Sequence, residues 1–198
     1  MVKVRLYLVR HGKTMFNTIG RAQGWSDTPL TAEGERGIQE LGIGLRESGL
    51  QFDRAYSSDS GRTIQTMGII LEELGLQGKI PYRMDKRIRE WCFGSFDGAY
   101  DGDLFMGIIP RIFNVDHVHQ LSYAELAEGL VEVDTAGWAE GWEKLSGRIK
   151  EGFEAIAKEM EEQGGGNALV VSHGMTIGTI VYLINGMHPH GLDNGSVT

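Results

Sequence analysis

The chain has 198 residues, 41% of them hydrophobic and 23% charged, which supports one buried core with at most a sizeable insertion and excludes intrinsic disorder. Nineteen Lys and Arg stand against 27 Asp and Glu, a formal net charge of −8. That sign disfavours a fold-wide nucleic-acid or anionic-membrane binder, so an anionic substrate has to be held by a local cluster of cations.

The first predicted element is a strand over 3–9, where Val2, Val4, Leu6 and Leu8 alternate with Lys3, Arg5 and Tyr7. Charges interrupt any signal-peptide core there, and no later apolar run approaches the ~20 residues of a membrane span, so the cytoplasm is the expected location. A glycine-rich loop leads to Thr31, which caps a helix over 32–48 with Ile38, Leu41 and Leu45 inward. A short strand follows over 52–57. Ser58 or Asp59 then opens a helix with Ile64, Met67, Leu71 and Leu74 as its apolar face, stopped by Gly75. Another short strand is expected over 79–84. Cys92, the single cysteine, forbids an internal disulfide and reads as a buried inert thiol.

Residues 99–135 fit poorly into this alternation. They read as an insertion with one short helix after the capping box of Ser122 and Glu125, and they carry enough apolar side chains to form a lid or a packed patch. A long helix is predicted over 138–162 from Trp138, Trp142, Leu145, Ile149, Phe153, Ile156 and Met160. Next come a strand over 168–172, apolar enough to be buried on both faces, and a helix over 176–185 closed by Gly186. The whole is one α/β domain over 1–198, a three-layer sandwich around a mostly parallel central sheet with a lid-like insertion at 99–135.

Two segments share one design. The first strand runs into Arg10, His11 and Gly12, and the later one into Ser172, His173 and Gly174. Ligands of open α/β sheets bind beyond the carboxyl ends of the strands, where both histidines are placed, and a glycine beside each lets the backbone approach a ligand closely. Arg62 follows the strand ending at Ser57 and lies at the same edge. Arg10, Arg62, His11 and His173 then form a compact cationic pocket suited to a phosphate dianion, with helix N-termini near 59 and 175 adding N–H donors. The alternating pairs His117/His119 and His188/His190 lack carboxylate or cysteine companions, so no metal site is expected. Phosphate-binding loops of the nucleotide type and a serine nucleophile elbow are both missing.

Residues 10–14 (Arg-His-Gly-Lys-Thr) with Asn17 resemble the signature of the histidine phosphatase superfamily, which includes the phosphoglycerate mutases. The resemblance continues through residues 23–34, Ser57-Ser58-Asp59 with Arg62, Arg89-Glu90 with Phe93-Gly94 and Gly98, and Ser172-His173-Gly174. It implies a phosphoglycerate mutase-like fold, His11 as the phosphorylated nucleophile, and Arg10, Arg62 and His173 as phosphate ligands. It also implies Glu90 as proton donor, Asn17 and Gln23 lining the pocket, and backbone after Gly174, at Met175, assisting. No cofactor is implied. Met175 stands where glycine is often found, Gly178 where arginine is frequent, and Asp97 where glutamate is common; residues 194–198 are where a last strand begins.

Three functions follow. The first is a phosphomonoesterase that hydrolyses a small phosphorylated metabolite through phosphohistidine at His11, without a metal. The second is a cofactor-dependent phosphoglycerate mutase, for which Arg111 is the only Lys or Arg in the insertion, though Arg83, Lys86, Arg87 and Arg89 lie just upstream. The third is a phosphate-binding module with a dead site, disfavoured because the full residue set is present. A homodimer is an open possibility.

Overall fold

The computed structural model describes residues 2–186 and 192–198. Strands β1 (Val4–Arg10), β2 (Arg54–Ser57), β3 (Tyr82–Met84) and β4 (Gly166–Ser172) pair in parallel in the order β1-β4-β2-β3. β4 is the apolar run expected to be buried on both faces, and it lies between β1 and β2 with 168–171 out of contact with water. The period of two divides the sheet between two cores: Leu8, Tyr56, Ala168 and Val170 face one, Val9, Ala55, Leu169 and Val171 the other.

After β1, Thr14 and Asn17 form a reciprocal cap on a one-turn helix, α1 (Met15–Thr18), which the glycine-rich loop had hidden. α2 (Ala32–Glu47) begins at Thr31 as expected, its hydroxyl accepting from Gly34 N at 3.0 Å. α3 (Gly61–Glu73) starts after Ser60, beyond the expected Ser58, because the Ser58 hydroxyl is engaged elsewhere. Ile38 and Leu45 of α2 meet Met67, Ile70 and Leu71 of α3 in the second core. Ile64 is a correction: it is exposed, since the inward positions of the first turns of α3 belong to Arg62, Thr63 and Thr66.

The insertion is more helical than expected. A π-helical segment, Gly102–Ile108, runs into α4 (Ile109–Phe113), and a 3-10 turn at Val118–Gln120 precedes α5 (Tyr123–Val133), which starts at the Ser122 capping box. Leu104 and Ile109 anchor the first part in the core five residues apart, a spacing that a search for 3.6-residue periodicity passes over. Leu126, Ala127 and Leu130 anchor the second. α6 (Trp142–Glu162) then crosses the first core through Leu145, Ile149, Phe153, Ile156 and Met160, and α7 (Gly174–Asn185) packs beside it. Truncating one of these fully buried side chains to alanine costs about 2–5 kcal/mol.

Trp138 does not begin the stripe of α6. It is 69% exposed, because the Asp134 carboxylate accepts from Ala136, Trp138 and Ala139 N–H and turns the chain before Gly141 caps the helix. Residues 196–198 run antiparallel along the other edge of β1, with Leu8 and Thr198 exchanging two 2.8 Å hydrogen bonds.

Candidate active site

The register places the site. Arg10 is paired with Ser172 and Ser57 with Val171, so His11, His173 and Ser58 all leave the sheet at one carboxyl edge. The two imidazoles meet edge to face with centroids 5.3 Å apart. Both are buried, and burial together with the Arg62 charge holds both well below the ordinary histidine range, so both are neutral near pH 7.

Their hydrogen bonds differ. His11 Nδ1 lies 2.8 Å from Gly12 O. A carbonyl only accepts, so Nδ1 carries the proton and Nε2 keeps its lone pair, with no protein partner among the described residues. His173 Nδ1 accepts from Arg62 Nη2 at 2.9 Å, which puts its proton on Nε2, 2.7 Å from Ser58 Oγ. Ser58 Oγ is in turn 2.8 Å from Thr63 Oγ1 at the start of α3.

Arg62 is completely buried. It donates to Asp27 Oδ1 at 2.8 Å, Ser26 O at 3.0 Å and Gly24 O at 2.8 Å, while its Nε has no partner. Arg10 donates through Nη1 to Leu192 O at 2.6 Å, and its buried Nε is also unpartnered. Burial lowers the pKa of both guanidiniums, with Glu90 among the carboxylates acting against it, and they remain cations. Buried donors are nearly always bonded, so these two guanidinium N–H groups and the His11 imidazole nitrogen stand out among the described residues.

Glu90 is buried rather than paired at the surface with Arg87 or Arg89, whose partners are Asp85 and Asp59. Its Oε1 accepts from Trp91 N, Thr176 N and Thr176 Oγ1, each at 3.0 Å, and its Oε2 from Met175 N at 3.1 Å. The N-terminus of α7, expected to donate to a phosphate, therefore donates at Met175 and Thr176 to this carboxylate. From behind, Arg148 of α6, ion-paired at 2.5 Å with buried Glu140, donates to the carbonyls of Arg87, Arg89 and Glu90.

A pocket of about 280 Å³ is reached by Arg10, His11, Glu90, Gly174 and Met175, while Arg62 and His173, expected as phosphate ligands, are fully buried and do not line it. Asn17 and Gln23 line it as expected, but Gln23 is held between Thr14 and Thr28 and Asn17 Oδ1 accepts from Thr14 N. Both glycines also make room for neighbouring protein atoms. A Cβ on Gly12 would meet Ile38 and the Gly34 carbonyl, and one on Gly174 would press on the Arg10 guanidinium.

Several neighbours had no sequence signal of their own. Arg21, Asp101 and Leu192 line the pocket, joined by Phe105 and Tyr123 from the apolar side chains of the insertion, and Asn194 donates to His11 O at 3.0 Å. The upstream cations do not reach it: Arg83 pairs with Glu159, and Lys86, Arg87, Arg89 and Arg111 do not line the pocket. Among the described residues no group of three or more His, Cys, Asp or Glu is placed to hold a metal ion; His117 and His119 flank an exposed 3-10 turn, and His188 and His190 lie outside the described residues. No described helix is long and apolar enough to cross a membrane.

Paired histidines and arginines at one edge of an α/β sheet define a class of enzymes acting on phosphoryl groups. Residues 6–198 match the family model of the histidine phosphatase superfamily (branch 1), and the chain belongs to that superfamily. It is 33% identical over 186 residues, 93% of this chain and 76% of the other, to a probable phosphoglycerate mutase GpmB of Salmonella choleraesuis. Among solved structures, a phosphoglycerate mutase from Bacillus anthracis superposes with a TM-score of 0.91 at 37% identity, over 98% of this chain and 86% of that one. A putative alpha-ribazole-5'-P phosphatase from Escherichia coli superposes with a TM-score of 0.69 at 26% identity, over 93% and 81%. The fold is thus phosphoglycerate mutase-like, and the relatives carry both mutase and phosphatase names.

Proposed function

We propose that the chain is a phosphomonoesterase working through phosphohistidine at His11. The observation that carries this reading is the free Nε2 of His11 beside the two unpartnered guanidinium Nε–H groups of Arg10 and Arg62. A phosphomonoester docks with its equatorial oxygens on these donors, while His173, bonded to Ser58 and Arg62, holds Arg62 in place. The Nε2 lone pair forms the N–P bond as the P–O bond to the alcohol breaks, and the Glu90 carboxyl is the group that delivers a proton to the departing oxygen. Water then attacks phosphorus, Glu90 takes the proton, the N–P bond breaks, and neutral His11 and inorganic phosphate remain. The arginines neutralise the charge that a metal carries in other phosphoryl-transfer enzymes.

The insertion supplies one wall of the pocket through Asp101, Phe105 and Tyr123 while Leu104, Ile109 and Leu130 hold it to the core, which supports its reading as a lid fixed at its base. Phe113 faces Gly129 of α5 and does not line the pocket, which leaves Phe105 and Tyr123 as the insertion's aromatic residues placed to touch substrate. The mutase reading rests on the names of the relatives and on Arg21, one cation near the pocket mouth. A mutase needs further cations for a second acidic group, and those expected upstream are absent from the pocket.

The deciding assay supplies 3-phosphoglycerate with a trace of 2,3-bisphosphoglycerate, alongside p-nitrophenyl phosphate. Phosphate release from the aryl ester with little 2-phosphoglycerate is expected. Rapid 2-phosphoglycerate formation without free phosphate would establish the mutase, and no turnover of either would leave a binding module. Activity is expected to persist in EDTA and to stop with vanadate.

A further inference from the structure

The pocket is cationic at its floor, and its mouth has a different character. Asp101 lines it and makes no side-chain hydrogen bond or ion pair among the described residues. Its position is nevertheless fixed, because its N–H donates to Gly20 O at 2.9 Å next to the bridge between Arg21 and Tyr100. Its charge is felt at the Arg10 guanidinium, as is that of Asp193. Besides Arg10, the one arginine in the lining, Arg21, is held in place: it lies 4.4 Å over the Tyr100 ring and donates to Gly98 O at 2.5 Å. Phe93, Phe105 and Met175 supply apolar wall between floor and mouth. A second anion brought here meets the unpaired carboxylate of Asp101, whereas a hydroxyl meets an unoccupied acceptor.

Resting on the phosphomonoesterase reading, we infer that Asp101 is a specificity-determining residue that accepts a hydrogen bond from the alcohol portion of the substrate. The preferred substrates are phosphomonoesters of neutral, hydroxyl-bearing alcohols, and esters carrying a carboxylate or second phosphate are rejected. One unpaired like charge at the pocket mouth accounts for a discrimination of about tenfold.

A matched pair tests this. Glycerol 3-phosphate and 3-phosphoglycerate share a three-carbon skeleton and differ in one terminal group, CH2OH against carboxylate. Substrate loss and phosphate release are measured for both with the wild-type chain, Asp101→Asn, and Asp103→Asn, whose side chain lies outside the pocket. The expected result is a kcat/KM about tenfold higher for the glycerol ester in wild type, a ratio near or below two in Asp101→Asn through a gain on the phosphoglycerate, and a wild-type ratio in Asp103→Asn. A wild-type preference for phosphoglycerate overturns the inference without needing any variant. So does an unchanged ratio in Asp101→Asn, even while phosphate release continues and the phosphatase reading stands. Absence of phosphate release from every ester, with phosphoglycerate isomerised, overturns both.

Discussion

The turns at residues 10–12 and 172–174 are nearly the same in sequence and opposite in construction. His11 spends one ring nitrogen on its own neighbour, Gly12 O, and keeps the other free. His173 has both nitrogens engaged, by Ser58 and Arg62, and the helix that follows it holds Glu90 through two backbone N–H groups. The first turn presents a lone pair; the second organises its surroundings. A short motif therefore identifies the place of a histidine, while its chemistry is set by partners far away in the chain, Ser58 and Arg62, whose positions the sheet register determines.

The largest effect should separate the two turns. His11→Ala is expected to lower kcat on p-nitrophenyl phosphate by more than about a thousandfold, and His173→Ala by about a hundredfold, since nucleophile and positioning roles are separable. Equal losses would dissolve the distinction, and a His11→Ala chain retaining a tenth of the rate would end the nucleophile assignment. Glu90→Gln should lower turnover of alkyl phosphates by about 10²–10⁴ while costing aryl phosphates less than about tenfold, because only a poor leaving group needs the proton. A common factor for both substrate types would count against Glu90 as the acid.

Smaller effects sharpen the organising role of the second turn. Thr176→Val removes, at nearly constant shape, a hydroxyl whose single proton is shared between Arg89 O at 2.8 Å and Glu90 Oε1 at 3.0 Å. About a tenfold loss on alkyl phosphates is expected, roughly the value of a hydrogen bond to a charged group, with little change on aryl ones. A loss shared by both would reduce Thr176 to a structural residue. The smallest signal is in stability. Both histidines are held well below their ordinary range, so between their folded values and ~6.5 the unfolded chain binds protons that the native chain does not. Stability should then fall as pH drops below ~6.5, by about 1.4 kcal/mol per pH unit for each histidine. Thermal melts of the wild type and of His173→Ala, with half of that dependence removed, would show it; identical slopes would contradict the assignment.

The sheet and its edge were legible because each strand is a short apolar run ended by polar or glycine residues, and both His-Gly turns follow such runs directly. Arg62 and Glu90 were legible only through the resemblance, since a lone Arg and a lone Glu look like surface residues until the register buries them. Other features were lost for physical reasons. The π-helical spacing of Leu104 and Ile109 breaks the usual period, and Asp134 turns the chain in front of α6, carrying Trp138 away from a stripe it matches by spacing alone. Arg21, Asp101 and Asn194 reach the site from loops, where no periodicity exists to announce them.

The strand order has a consequence for how the molecule is made. The middle of the sheet, β4, is nearly the last element of the chain, and the contact closing Arg10 onto Leu192 spans 182 residues. No nascent chain can own a phosphate site until β4 has been synthesised and inserted between β1 and β2, so the two histidines come together in one late, cooperative step. Until then β1 and β2 wait with unpaired inner edges, the kind of template on which chains pair wrongly.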